Sequence, residues 1–139
     1  MKVPQHLGII IDGNRRWARK RDLPTFLGHR KGFENVRKIA RYAFKKGVKY
    51  LTIFAFSTEN WKRDKKEVDY LMRLLKNAFS KKYIEELTKN EVKVNFIGQI
   101  KKLPKELQQK IKEVENITKR NKKHVFNIAL SYGGRADIV

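Results

Sequence analysis

The sequence predicts an α/β fold, a mostly parallel sheet with helices on both faces. Three observations predict it. Short β-branched and aromatic runs alternate with longer stretches whose apolar residues recur at helical spacing. Polar residues gather at the C-terminal end of the apolar runs, where open parallel sheets present their ligand-binding loops. A chain of 139 residues with 40% hydrophobic content suits one core, so residues 1–139 are expected to form a single domain.

Leu7 to Ile11 read as a buried strand delivering Asp12-Gly13-Asn14 into a turn. From Lys31 to Lys46, Phe33, Val36, Ile39, Ala40, Ala43 and Phe44 recur at helical spacing, and Gly47 supplies the C-cap. Tyr50 to Phe56 is aromatic and β-branched throughout, which predicts a fully buried second strand ending at Ser57-Thr58-Glu59-Asn60-Trp61. Val68, Leu71, Met72, Leu75, Ala78 and Phe79 then mark one side of a long helix from Lys65 to about Leu87. Val92 to Ile97 form a third strand ending at Gly98, and Pro104 opens a helix to about Lys119. His124 to Leu130 complete a βαβαβαβ order with right-handed crossovers. The loops Asp12 to Trp17, Ser57 to Arg63 and Gly133 to Arg135 are therefore expected to converge on one rim.

With 34 Lys and Arg against 14 Asp and Glu, the formal charge is +20, which calls for an anionic partner. Charge does not choose among nucleic acid, an acidic membrane surface and phosphorylated small molecules. The absence of cysteine excludes disulfides and thiolate metal sites. No stretch is long enough to span a bilayer and the N-terminus lacks the pattern of a signal peptide, so a cytoplasmic location is expected, with peripheral membrane contact left open.

Asp12-Gly13-Asn14-Arg15-Arg16-Trp17 leads from a strand into a helical segment, whose first backbone N–H groups can face an anion. Gly13 permits close approach, and Arg16 offers a planar fork to phosphate oxygens. Asp12 would repel a phosphate unless Mg²⁺ sits between them, and Mg²⁺ favours carboxylate and phosphate oxygens. A plain turn with an N-cap accounts for the same three residues equally well. His29, expected just before a helix, is placed to reach the same phosphate. Trp17 and Trp61, one in each loop, favour an apolar ligand joined to a phosphate, although aromatics also stack nucleotides.

The blocks HLGIIIDGNRRWARK, GHRKGF, LTIFAFSTENWKR, EVDYLM, NFIGQIKKLP and ALSYGGRADIV are similar, in order and spacing, to successive blocks of the cis-prenyltransferases of the undecaprenyl diphosphate synthase kind. The resemblance covers essentially the whole chain. It implies Mg²⁺-dependent condensation of isopentenyl diphosphate onto an allylic diphosphate, farnesyl or geranylgeranyl, with formation of Z double bonds. By position, Asp12 resembles the family's Mg²⁺-associated catalytic aspartate, and Gly13, Asn14, Arg15, Arg16, Trp17 and His29 its allylic diphosphate pocket. Asn60 matches the asparagine associated with proton removal, with Ser57, Thr58, Glu59, Trp61 and Arg63 as neighbouring substrate contacts. The helix from Lys65 would line a tunnel for the growing chain.

Two departures accompany the resemblance. Thr25 stands where the family usually has an arginine, and the Arg-rich segment that binds isopentenyl diphosphate in relatives lies beyond Tyr132-Gly133-Gly134-Arg135. The expectation is thus an allylic half-site, with the domain incomplete at its C-terminus. An inactive fragment, one subunit of a split synthase, and a homodimer remain alternatives. A basic nucleic-acid-binding domain ranks last, because Asp12 and Glu59 in the loops disfavour a phosphate backbone, and no nucleic acid is expected.

Overall fold

The computed structural model describes residues 2–139. The elements run β1 (His6–Ile10), α1 (Asn14–Arg19), α2 (Thr25–Lys45), β2 (Tyr50–Ser57), α3 (Lys65–Ala78), α4 (Lys81–Lys89), β3 (Val92–Ile97), α5 (Lys105–Thr118), β4 (His124–Tyr132) and α6 (Gly134–Ile138), with short 3-10 turns at Thr58–Lys62 and Ile100–Lys102. The four strands form one sheet in the order β1-β2-β4-β3, every pairing parallel. All C-terminal strand ends therefore lie on one rim.

Alternation along the strands sorts the side chains. Leu51, Ile53, Val92, Val94, Phe126, Ile128 and Leu130 turn to a common side and pack with Ala40 of α2, Leu71 and Leu75 of α3, Leu87 of α4 and Leu107, Ile111 and Val114 of α5 in one core. The opposite face carries a polar ladder across all four strands. The His6 ring meets the Thr52 hydroxyl at 2.7 Å, Asn127 donates to the same hydroxyl at 3.2 Å, and Asn95 donates to Asn127 at 3.2 Å. Helices α2 to α5 share the one core.

The two edges of the sheet are managed differently. Along β3, the outward backbone groups are taken by α5 and the turn after it. Val94 N–H donates to Thr118 Oγ1 at 3.0 Å, Phe96 N–H to Glu115 at 3.0 Å, and Asn121 donates to the Val92 carbonyl at 2.8 Å. Those groups would otherwise be free to pair with another strand. β1 at the other edge alternates between exposed and half-buried residues, with Ile10 73% exposed, where a buried strand was expected.

Two helix boundaries also differ from expectation. α2 begins at Thr25, six residues before Lys31, because Gly28 and Gly32 serve as contact points rather than breaks. α1 presses so closely on α2 that a Cβ at Gly28 would lie 2.1 Å from the Asn14 carbonyl oxygen. The helix expected from Lys65 to Leu87 is two helices, broken at Phe79-Ser80. Ser80 is extended and its hydroxyl accepts the Tyr83 N–H at 3.2 Å, the N-cap role for which serine is suited. On the α3 side of the break, the guanidinium of Arg37 donates to the Ala78 carbonyl.

Candidate active site

Two of the three expected loops meet at the C-terminal rim. After β1 the chain turns at Gly13, whose φ of 86° lies in the left-handed region where glycine carries no steric cost. The Asp12 carboxylate holds the turn, accepting Gly13 N–H at 2.7 Å and Arg16 at 3.2 Å. The first helical bond runs from Trp17 N–H to the Gly13 carbonyl at 2.8 Å, so the amides of Asn14, Arg15 and Arg16 precede it. Asp12, Gly13, Asn14, Arg15, Arg16, Arg19, His29, Asn60 and Arg63 line one cavity of about 280 Å³, with Ile11, Phe33, Ala55 and Leu71 as its apolar walls. Arginine dominates its charge, and Asp12 is the one carboxylate among the lining residues.

His29 sits in the second turn of α2 and is buried, where a position ahead of the helix was expected. Its Nε2 lies 2.8 Å from Glu67 Oε1. The same oxygen is 3.6 Å from Arg15 Nε and 3.5 Å from Arg63 Nη1. Glu67 thus ties α1, α2, the loop after β2 and α3 together, with its side chain 16% exposed. Sequence reasoning gave Glu67 no role. The signal present was its position four residues after Arg63, the spacing that brings charges together on a helix.

In the second loop, Ser57 caps the 3-10 turn reciprocally with Asn60, whose side-chain oxygen accepts Ser57 N–H at 3.0 Å. This leaves the amide NH2 of Asn60, a residue of the cavity wall, as its remaining donor. Trp61 and Trp17, expected to meet an apolar ligand, are half-buried and already engaged. Trp61 Nε1 donates to Ser131 Oγ at 2.8 Å and its ring meets Phe56 edge-on at 4.9 Å, while Arg21 lies 4.3 Å over the Trp17 ring. Ser57, Thr58, Glu59, Trp17 and Trp61 lie outside the cavity wall. The third loop comes only as far as Gly133, where a Cβ would lie 2.7 Å from Thr58 Oγ1; Arg135 stays exposed and off the cavity.

Ile11, Phe33 and Ala55 also line a second, almost wholly apolar cavity with Val36, Leu75, Ala78, Phe79 and Ile128. Its free volume is about 30 Å³, room for little more than a water. The polar pocket thus backs directly onto the seam between α2, α3 and the sheet.

No group of three His, Cys, Asp or Glu able to hold a metal occurs among the described residues. Asp12, 77% exposed at its side chain, is the one carboxylate the pocket offers. That matches Mg²⁺, which is commonly held by one or two carboxylates and completed by substrate phosphates and water, and it does not match a dedicated protein cage.

Residues 10–139 match the family model described as "Putative undecaprenyl diphosphate synthase". The isoprenyl transferase of Clostridium tetani is 49% identical over 99% of this chain and 53% of its own length, and that of Streptococcus pneumoniae strain R6 is 45% identical over 99% and 54%. Among solved structures, lavandulyl diphosphate synthase from Lavandula x intermedia, in complex with dimethylallyl diphosphate, superimposes with a TM-score of 0.94 at 39% identity, covering 98% of this chain and 58% of that one. A probable undecaprenyl diphosphate synthase from Campylobacter jejuni gives a TM-score of 0.77 at 32% identity over 99% and 59%. The chain spans about half the length of the curated relatives it matches. Shared sequence blocks, a common parallel sheet and superimposing neighbours agree, and the chain belongs to the undecaprenyl diphosphate synthase family of prenyltransferases.

Proposed function

We propose that this chain binds the allylic diphosphate of a cis-prenyl transfer, farnesyl or geranylgeranyl diphosphate, whose C1 is joined to isopentenyl diphosphate with a new Z double bond. The observation that carries the reading is the adjacency of two cavities that share a wall. A pocket walled by Arg15, Arg16, Arg19 and Arg63 suits a diphosphate, and it shares Ile11, Phe33 and Ala55 with an apolar seam suited to a prenyl tail. A nucleic-acid backbone would use the arginines and leave the seam without a role.

Ionisation of the allylic C–O bond leaves negative charge on the departing diphosphate. Arg16, Arg15 and the amides at the start of α1 are placed to bear that charge without reorganising. Mg²⁺, held by Asp12 and the diphosphate oxygens, would supply Lewis-acid stabilisation of the same charge. His29 donates Nε2–H to the Glu67 carboxylate, which fixes the ring in the pocket wall and leaves Nδ1 as its unengaged nitrogen. Asn60, with its oxygen taken by Ser57, orients a substrate oxygen as a donor, and proton removal from the second substrate falls to the departing diphosphate or a group outside the pocket. Isopentenyl diphosphate is proposed to be held by donors beyond these residues, from a continuation of the chain, another copy or a complementing subunit. The tail enters only as α2 and α3 part, given the volume of the seam.

Calorimetric titration with farnesyl diphosphate tests this reading. Binding that requires Mg²⁺ and weakens about 10- to 100-fold in Arg16→Ala is expected, the loss of a charge-assisted bidentate contact. Equal affinity in wild type and Arg16→Ala would reject it.

A further inference from the structure

The rim opposite the candidate site, where the strands begin, carries a concentration of positive charge that the diphosphate pocket does not use. Residues 45–49 read Lys-Lys-Gly-Val-Lys and residues 119–123 read Lys-Arg-Asn-Lys-Lys, with no carboxylate in either segment. The fold clamps the two together. Val125 N–H donates to the Lys49 carbonyl at 2.9 Å, His124 Nδ1 to the Val48 carbonyl at 2.8 Å, and the Lys49 ammonium to the Lys122 carbonyl. None of these cations forms an ion pair among the described residues.

Helix ends explain only a small part of this. Lys46 and Lys119 cap the C-termini of α2 and α5, and each helix end presents about half a negative charge. Two ends therefore offset about one of the clustered cations. The remainder is like charge held together by main-chain bonds, an arrangement that an external anion relieves.

We infer that this rim docks on an anionic membrane surface, with the exposed Lys45, Lys46, Lys122 and Lys123 facing lipid phosphates. Lysine suits that role, being a flexible point charge that meets a diffuse negative surface, and clusters of this size and composition bind acidic headgroups. Tyr42, 62% exposed on the last turns of α2 beside Lys46, places an amphipathic ring where headgroups would lie. Single-stranded nucleic acid fits less well. It is held by stacking on open aromatic faces together with arginine forks; the two lysine segments carry one arginine between them, Arg41 beside them is paired with Glu86, and the exposed Tyr42 ring has the Lys46 ammonium 5.5 Å above it. The inference rests on loop charge and geometry and stands apart from the diphosphate reading.

Vesicle co-sedimentation of the full chain at about 0.15 M salt tests it, comparing phosphatidylcholine vesicles with vesicles containing about one-third phosphatidylglycerol. The rim variant is Lys45→Gln/Lys46→Gln/Lys122→Gln/Lys123→Gln. The control removes equal charge elsewhere, as Lys81→Gln/Lys82→Gln/Lys101→Gln/Lys102→Gln, and circular dichroism checks that both keep the wild-type fold. Expected is binding to the anionic vesicles only, falling about tenfold or more in the rim variant and less than about threefold in the control. Equal loss in the two variants would reduce the effect to net charge and overturn the rim assignment. Absence of wild-type binding, or displacement from vesicles by equimolar single-stranded RNA, would overturn the membrane.

Discussion

Asp12 and Arg16 hold each other across 3.2 Å at the lip of the pocket, an exposed pair that contributes little to stability. Replacing Asp12 with Ala should therefore leave the melting temperature nearly unchanged while abolishing the Mg²⁺ dependence of farnesyl diphosphate binding, which calorimetry reads directly. Glu67 is the opposite case. It is largely buried and shared by His29, Arg15 and Arg63, so Glu67→Gln should lower stability by about 1–3 kcal/mol in urea unfolding and weaken diphosphate binding as the arginines lose their anchor. Tyr83 gives a pH signature. Burial raises its pKa from 10.0 to about 12, so its contribution to stability is complete below about pH 10 and is lost as pH rises from there toward 12. Tyr83→Phe should remove that part of the alkaline decline. Asp12, Gly13, Asn14, Arg15, Arg16, His29, Asn60 and Arg63 were legible in the sequence because they sit in ordered motifs. Glu67 was not, since its role arises from three partners that only the fold brings to it.

At the scale of elements, the crossing of α1 on α2 sets the pocket's shape. Gly28→Ala drives a Cβ to within 2.1 Å of the Asn14 carbonyl oxygen, and the backbone must move. Its expected cost of about 1–3 kcal/mol exceeds the helix propensity gained, about 1 kcal/mol. At Gly32→Ala the nearest atoms are those of the Asn14 side chain, from 2.4 Å, so its melting temperature should stay near wild type while displaced Asn14 weakens diphosphate binding. Differential calorimetry beside ligand titration separates the two outcomes. Thr118→Val should lower stability by about 1–3 kcal/mol, because the buried Val94 N–H at the sheet edge loses its acceptor. Helical periodicity located α2, α3 and α5, but not where α2 begins or where α3 ends. Gly28 and Gly32 look like breakers until α1 lies against them, and Ser80 looks like one polar residue in a helical run until its hydroxyl caps α4.

Across the whole molecule, alternating apolar runs made the parallel sheet and the rim that carries the pocket readable from sequence. The strand order β1-β2-β4-β3 was not, because pairing partners are chosen by tertiary packing that no local pattern encodes. The exposed face with its His6, Thr52, Asn127 and Asn95 ladder was equally hidden, since each of those residues alone reads as an ordinary polar interruption of a strand. The fold also holds a further cavity of about 480 Å³ at the opposite rim, lined by Arg41, Phe44, Lys45, Tyr83 and His124. It is larger than the candidate pocket, yet lies at the strand starts, away from the loops that carry the motif residues. The most direct test is therefore backbone amide chemical-shift mapping of the chain titrated with farnesyl diphosphate and Mg²⁺, beside inorganic diphosphate. The account predicts shifts at Gly13 to Arg19 and Arg63 with both ligands, and at Val36, Ala78 and Ile128 with the prenyl compound alone. Shifts centred on Arg41, Phe44 and His124 would place the ligand in the other cavity and contradict it.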